Sequence, residues 1–108
     1  MASNKEKIKL NKVLDLLADV HSFNEPNLLI VTEAFEEYNK IIRVLHKQNP
    51  NVFANLYKHD LAEIRGHKRN VKEDFADEAQ QAHFQSYRDA LINASESAIE
   101  YITDYTQL

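Results

Sequence analysis

The fold of this 108-residue chain is decided by residues 31–45, which read VTEAFEEYNKIIRVL. Apolar side chains in this stretch recur at steps of three and four residues, which is the period of an amphipathic α-helix. On the opposite side, Glu36 precedes Lys40 by one helical turn, the favourable order for a surface ion pair. The predicted buried face consists of Val31, Ala34, Phe35, Tyr38, Ile41, Ile42 and Leu45.

Capping signals on both sides of this stretch predict two more helices. Proline is well tolerated in the first turn of a helix, because its missing N–H has no partner there. Pro26 therefore marks the start of the second helix, and Asn49-Pro50 marks the start of a third. Ser3 and Glu6 have the spacing of a capping box, which predicts a first helix that ends near Ser22.

A fourth boundary is predicted at Gly66, the only glycine, which lies in the densest basic cluster of the chain. Glycine commonly ends helices in a left-handed conformation, and Asn70 with Glu73 has the spacing of a new N-cap. We therefore expect the third helix to stop around Arg65. Continuation through Gly66 stays open, since an internal glycine costs only about 1 kcal/mol relative to alanine.

From Val71 to about Thr106 nothing interrupts the helical pattern, so a long fourth helix is predicted. A helix of this length is expected to bend or break near residues 93–95, or to project beyond its neighbours and expose apolar residues. Its small residues would allow another helix to approach closely. The predicted stripe comprises Phe75, Ala79, Ala82, Ser86, Ala90, Ala94, Ala98, Tyr101 and Tyr105.

Composition supports an all-α fold. One glycine and two prolines are too few for the turns of a β-rich domain. We predict one domain over residues 1–108, an up-and-down bundle of four helical segments with a long C-terminal helix. The absence of cysteine excludes disulfides and thiolate metal sites. No apolar run approaches the ~20 residues of a membrane span, and the N-terminus lacks a secretory pattern, so we expect cytoplasmic residence without membrane contact.

The C-terminal segment is strongly acidic and carries most of the functional expectation. After Lys72, Arg88 is the only Lys or Arg, against eight Asp and Glu. Tyrosines among acidic residues suit a protein interface, although they equally suit the end of a bundle core. We expect a non-enzymatic interaction or regulatory protein, without a cofactor, that binds another protein or a second copy of itself. The expected partner-binding residues are Tyr87, Tyr101, Asp104 and Tyr105.

The basic cluster is the second expected contact. Lys and Arg side chains bind phosphate, which dominates affinity for nucleic acids, so a nucleic-acid-associated regulator is an alternative function. The acidic segment that follows would repel the same phosphates. The residues concerned are Arg65, His67, Lys68, Arg69 and Lys72.

A metal-dependent helical-bundle enzyme is the remaining alternative. His59, Glu63 and His67 follow one another at helical-turn spacing, an arrangement used in metal sites. That strip is predicted to face water, whereas metal sites in bundles face inward. Two sets of acidic residues superficially resemble the carboxylate cluster of helical nucleotide pyrophosphohydrolases. The spacing of these residues does not match that family. These are Glu33, Glu36 and Glu37, with a second set in Glu73, Asp74, Asp77 and Glu78.

Overall fold

The computed structural model describes residues 2–59, 61–73 and 76–105. Within these ranges the chain forms five α-helices and no strand, which confirms the predicted all-α fold. The helices are α1 (Ala2–Ala18), α2 (Glu25–Gln48), α3 (Pro50–Leu56), α4 (Leu61–Glu73) and α5 (Asp77–Tyr105). None of these helices, over the described residues, is both long and apolar enough to cross a membrane.

The helices form an elongated bundle of four columns, the third of which is built from α3 and α4. α1 packs against α2 and α5, α3 packs against α2, and α4 packs along α5. Arg88 of α5 hydrogen-bonds the carbonyl of Leu17, and Gln81, seven positions earlier in α5, bonds that of His21, so α1 and α5 are antiparallel. α5 has 29 residues, or roughly 44 Å, and spans nearly the whole 48 Å long axis of the molecule.

α2 is the helix that the sequence predicted best. The Asn24 side chain caps it by accepting a hydrogen bond from the Asn27 N–H at 2.8 Å, and Pro26 lies in the first turn. The seven residues predicted to form its apolar face are all buried. This long buried stripe holds α1, α3 and α5 around α2.

The first helix begins close to the predicted point but ends early. α1 starts at Ala2, one residue before Ser3, and it ends at Ala18 rather than near Ser22. Side chains from α5 account for the early end. Arg88 binds the Leu17 carbonyl at 3.0 Å, and Gln81 binds the Phe23 N–H and the His21 carbonyl. In a longer α1 these backbone groups would pair within the helix. Because the side chains of α5 satisfy them, the helix can end at Ala18 without unpaired groups at these positions.

The predicted helix junction at Gly66 was also wrong. α4 passes through Gly66 and Asn70 without interruption, and Gly66 does not have a positive φ. Ile64 and Val71 are both buried and lie two turns apart, so one continuous helix places both against α5. Burial of such side chains contributes about 1.5–3 kcal/mol each, more than the glycine costs.

The chain instead leaves helical geometry at Tyr57, between α3 and α4. Tyr57 is the C-cap of α3, with φ −100° and ψ 111°, and residues 57–59 are not helical. We call residues 57–59 the corner. The sequence predicted a helix through this point, because Tyr57, Leu61 and Ile64 continue the apolar spacing.

α5 begins at Asp77 rather than at Val71. It continues through residues 93–95, so the break that was one of the expected alternatives does not occur. Its buried face differs from the predicted stripe: Ala82 and Ser86 are exposed, while Ala94, Ala98 and Tyr101 are buried as predicted. Phe75 and the Tyr105 side chain lie outside the described residues. Larger side chains take the core positions in the first half of α5. The buried face comprises Phe84, Tyr87, Leu91, Ala94, Ser95, Ala98, Tyr101 and Ile102.

Candidate functional site

The corner is where α2, α3, α4 and α5 come together, and three surface depressions meet at His59. Pro50 starts the short helix α3, which packs against the C-terminal part of α2 and brings Phe53 next to Tyr101 of α5. α3 then stops at Tyr57, whose side chain points inward and is buried. A region with this many open depressions around one backbone turn is the strongest candidate for a functional site in the described residues.

A hydrogen-bonded pair of tyrosines fixes the corner. The Tyr57 hydroxyl donates to the carbonyl oxygen of Ala94 in α5 at 2.9 Å, and it therefore accepts from the hydroxyl of Tyr38 in α2. Burial raises the pKa of Tyr38 to about 12. Burial, with the neighbouring Tyr38, also raises the pKa of Tyr57. Both hydroxyls therefore stay protonated and join three helices at neutral pH.

The largest depression is a groove of about 760 Å³ between the C-terminal half of α2 and the corner. Phe53 and Tyr57 stack with ring centroids 4.9 Å apart, and Phe53 meets Tyr101 edge-on at 5.3 Å. Phe53 and Tyr57 are both buried and pack against the core on one side. Their other side forms a rigid apolar floor of the groove. The lining residues are Ile42, Arg43, Val44, His46, Lys47, Phe53, Tyr57, His59 and Leu61.

The groove combines apolar surface with basic side chains. Val44 is 38% exposed although it is a large apolar residue, and Leu61 is half-buried. Arg43, His46 and Lys47 are exposed along the α2 wall. Among the described residues, the ionisable side chains that line this groove are all basic.

A smaller depression of about 270 Å³ lies on the other side of the corner, against the end of α5. There His59 Nε2 and Ser97 Oγ are hydrogen-bonded at 2.8 Å. Glu100 and Asp104 also line it, together with Lys58. His59 is exposed, so this bond attaches the corner to α5 in a solvated setting rather than in a water-excluded site.

The structure separates the residues expected to bind a partner. Tyr87 is fully buried, 3.4 Å from the Thr32 hydroxyl, and Tyr101 is only 6% exposed. Asp104 is exposed in the smaller depression, and the Tyr105 side chain lies outside the described residues. The two described tyrosines thus contribute to the core, which was the alternative that the sequence left open.

The basic cluster forms part of one helix rather than a loop. Arg65, Arg69 and Lys72 are exposed on α4, and Lys68 is half-buried. His67 lies on another side of the helix, where its Nε2 is 3.8 Å from a Glu63 carboxylate oxygen. A continuous α4 therefore arranges these cations along a ridge.

The candidate metal ligands do not form a cluster. His59 lies in the corner and bonds to Ser97, whereas Glu63 and His67 pair with each other on α4. In the part of the chain that the structure describes, no three His, Asp or Glu side chains are placed to hold a metal ion together. Glu33 and Glu36 are exposed on α2, and Glu37 lies 3.8 Å from Lys40.

Several groove residues were not singled out from the sequence as functional, notably Arg43, Val44 and Lys47. A signal for the corner was present, since the polar run Lys58-His59-Asp60 follows directly after the aromatic pair Phe53 and Tyr57. Because Tyr57, Leu61 and Ile64 keep helical spacing across this run, the sequence predicted a continuous helix there instead.

The fold and the groove define the class as a small all-α bundle with an open apolar groove at one end. Comparison with known proteins found no matching family model, no similar curated protein and no similar solved structure.

Proposed function

We propose that this chain is a small, non-enzymatic protein-binding module of the regulatory or adaptor kind, which acts in the cytoplasm. The observation that supports the proposal is the groove between α2 and the corner, where apolar side chains such as Val44 lie exposed beside a rigid aromatic floor. Exposed apolar surface rimmed by polar residues is characteristic of protein interfaces.

The acidic C-terminal helix keeps a secondary role in this proposal. Glu96, Glu100 and Asp104 are exposed on α5, where they provide a charged surface for a partner or a second copy of the chain. The main contact moves to the groove because Tyr87 and Tyr101 are buried, and buried rings are not accessible to a partner without unfolding α5.

Site-specific photo-crosslinking in the native cell tests the proposal. The photoreactive residue p-benzoylphenylalanine at Val44 should give a discrete adduct with another protein. The matched control position is Leu29, which is 58% exposed on the same helix but is not a groove residue. Adducts at both positions, or at neither, would contradict a protein-binding role for the groove.

A nucleic-acid-associated regulator is a second candidate, and one observation favours it. The continuous helix α4 places Arg65, Arg69 and Lys72 along one side, where they can contact successive phosphates. If this is the function, a gel shift at low salt should disappear when Lys68 and Arg69 are changed to Gln. Absence of any shift with the unmodified protein would remove this candidate.

A further inference from the structure

We propose that the groove and the basic side of α4 form one continuous docking surface for an amphipathic helix with acidic flanks, supplied by a partner protein. This inference rests on the protein-binding function proposed above and assigns the chemistry of the partner. The docked helix would place apolar side chains on the groove floor and carboxylates against the cations of α2 and α4.

The dimensions of the groove suit a helix. The α2 wall runs from Ile42 to Lys47, a rise of about 8 Å. Apolar side chains at positions i, i+3 and i+4 of a docked helix extend over about 6 Å, so two or three of them fit along the floor. Recognition of an amphipathic helix in an apolar groove uses this spacing of anchors.

The basic residues of α4 continue the groove. Leu61, which lines the groove, is followed by Arg65, Lys68 and Lys72 at steps of four, three and four residues, so all four share one side of α4. The buried residues Ile64 and Val71 mark the adjoining side of α4, which packs against α5. The cations therefore extend from the groove along α4.

Charge complementarity selects the partner. The ionisable side chains in the groove lining are Arg43, His46, Lys47 and His59, with no carboxylate among the described lining residues. An acidic helix gains attraction along the whole surface, while a basic helix of the same shape meets like charges. The acidic residues Glu100 and Asp104 of this chain line the separate depression against the end of α5.

The test uses two fluorescein-labelled synthetic peptides of roughly 18 residues, long enough to form a helix on binding. Both carry leucines at i, i+3, i+4 and i+7, and they differ only in flanking residues, which are Glu in one and Lys in the other. Fluorescence anisotropy with the intact protein should show the acidic peptide binding at least about ten-fold tighter, with affinity falling between about 50 and 300 mM NaCl. Equal affinities, absence of binding, or preference for the basic peptide would overturn the inference.

Charge reversal locates the site. Arg43→Glu with Lys47→Glu should weaken binding of the acidic peptide by at least about ten-fold, while Lys5→Glu with Lys12→Glu on α1 should leave it nearly unchanged. All four side chains are exposed, and Arg43→Ala alone provides a milder variant if the double reversal fails to fold. Equal losses of affinity in the groove variant and the α1 variant would show that binding depends only on net charge, which would overturn the inference.

Two competing occupants of the groove, a nucleic acid and a second copy of this chain, give distinct results. A DNA duplex that displaces the acidic peptide and binds more tightly would favour nucleic acid and overturn the inference. Concentration-dependent dimerisation abolished by Val44→Glu would indicate a second copy in the groove instead. A Val44 crosslink to a partner helix that lacks acidic flanks would uphold the proposed function and overturn only this assignment of its chemistry.

Discussion

The Tyr57 hydroxyl donates a hydrogen bond to the carbonyl oxygen of Ala94, 37 positions further along the chain, at a distance of 2.9 Å. This bond explains why the chain turns at the corner. Ending α3 at Tyr57 allows its ring to enter the core and its hydroxyl to reach α5. The groove floor depends on this arrangement, since the Tyr57 ring stacks on Phe53.

Tyr57→Phe should destabilise the protein by about 1–3 kcal/mol, because it leaves the buried Tyr38 hydroxyl without its acceptor and removes the bond from Tyr57 to α5. Tyr38→Phe should cost less, since the Tyr57–Ala94 bond survives. Urea unfolding followed by circular dichroism measures both. The double variant should lose less unfolding free energy than the two single variants together, because each single change already removes the bond between the two hydroxyls. Losses that add strictly would argue against a coupled pair.

Stability should fall in alkaline solution. Burial raises the pKa of Tyr38 and of Tyr87 to about 12 each, against a value near 10 in the unfolded chain. Between pH 10 and 12 the unfolded chain loses tyrosine protons that the folded chain retains, so the loss near pH 11 is about 1 kcal/mol per buried tyrosine. Urea midpoints at pH 9 and pH 11 measure this loss, and Tyr38→Phe should reduce it. Equal midpoints at the two pH values would contradict the burial of these hydroxyls.

Gly66→Ala should stabilise the protein by about 0.5–1 kcal/mol, because Gly66 is inside a helix and an added Cβ meets nothing within 4 Å. Thermal unfolding should show a rise of a few degrees in Tm. A loss of stability would contradict a continuous α4, because alanine is strained where a glycine with positive φ ends a helix.

Arg88→Met should destabilise the protein by about 1.5–3 kcal/mol. The Arg88 guanidinium binds the carbonyls of Leu17 and Ala18, and its side chain is only 12% exposed. Arg69→Met on the exposed side of α4 is the matched control and should change stability by less than about 0.5 kcal/mol. Similar losses in both variants would indicate a general charge effect in place of a specific cap on α1.

Ser95→Ala should leave stability unchanged or raise it by about 0.5–1 kcal/mol. Ser95 is fully buried in α5, and its hydroxyl has no hydrogen-bond partner among the described residues. Chemical denaturation would detect the change, with the exposed Ser86→Ala on the same helix as a measure of helix propensity alone. A loss above about 1 kcal/mol in Ser95→Ala would mean that the hydroxyl is satisfied.

The sequence by itself determined the helical class, the start of α2 in the turn that contains Pro26, and the whole buried face of that helix. These features follow from local rules, namely apolar periodicity, capping side chains and the scarcity of glycine. The exposure of Glu33 and Glu36 also follows from their position opposite the apolar stripe. No long-range contact is needed for any of them.

Only the tertiary structure decided where the third column breaks and where the candidate site lies. Local rules favoured a junction at Gly66, but burial of Ile64 and Val71 against α5 keeps α4 continuous. The break falls at Tyr57 because its hydroxyl and ring find partners in α2, α3 and α5. The groove lies between α2 and the point where α3 ends and α4 begins. Its walls come from segments distant in sequence, and their juxtaposition depends on packing that no local pattern encodes.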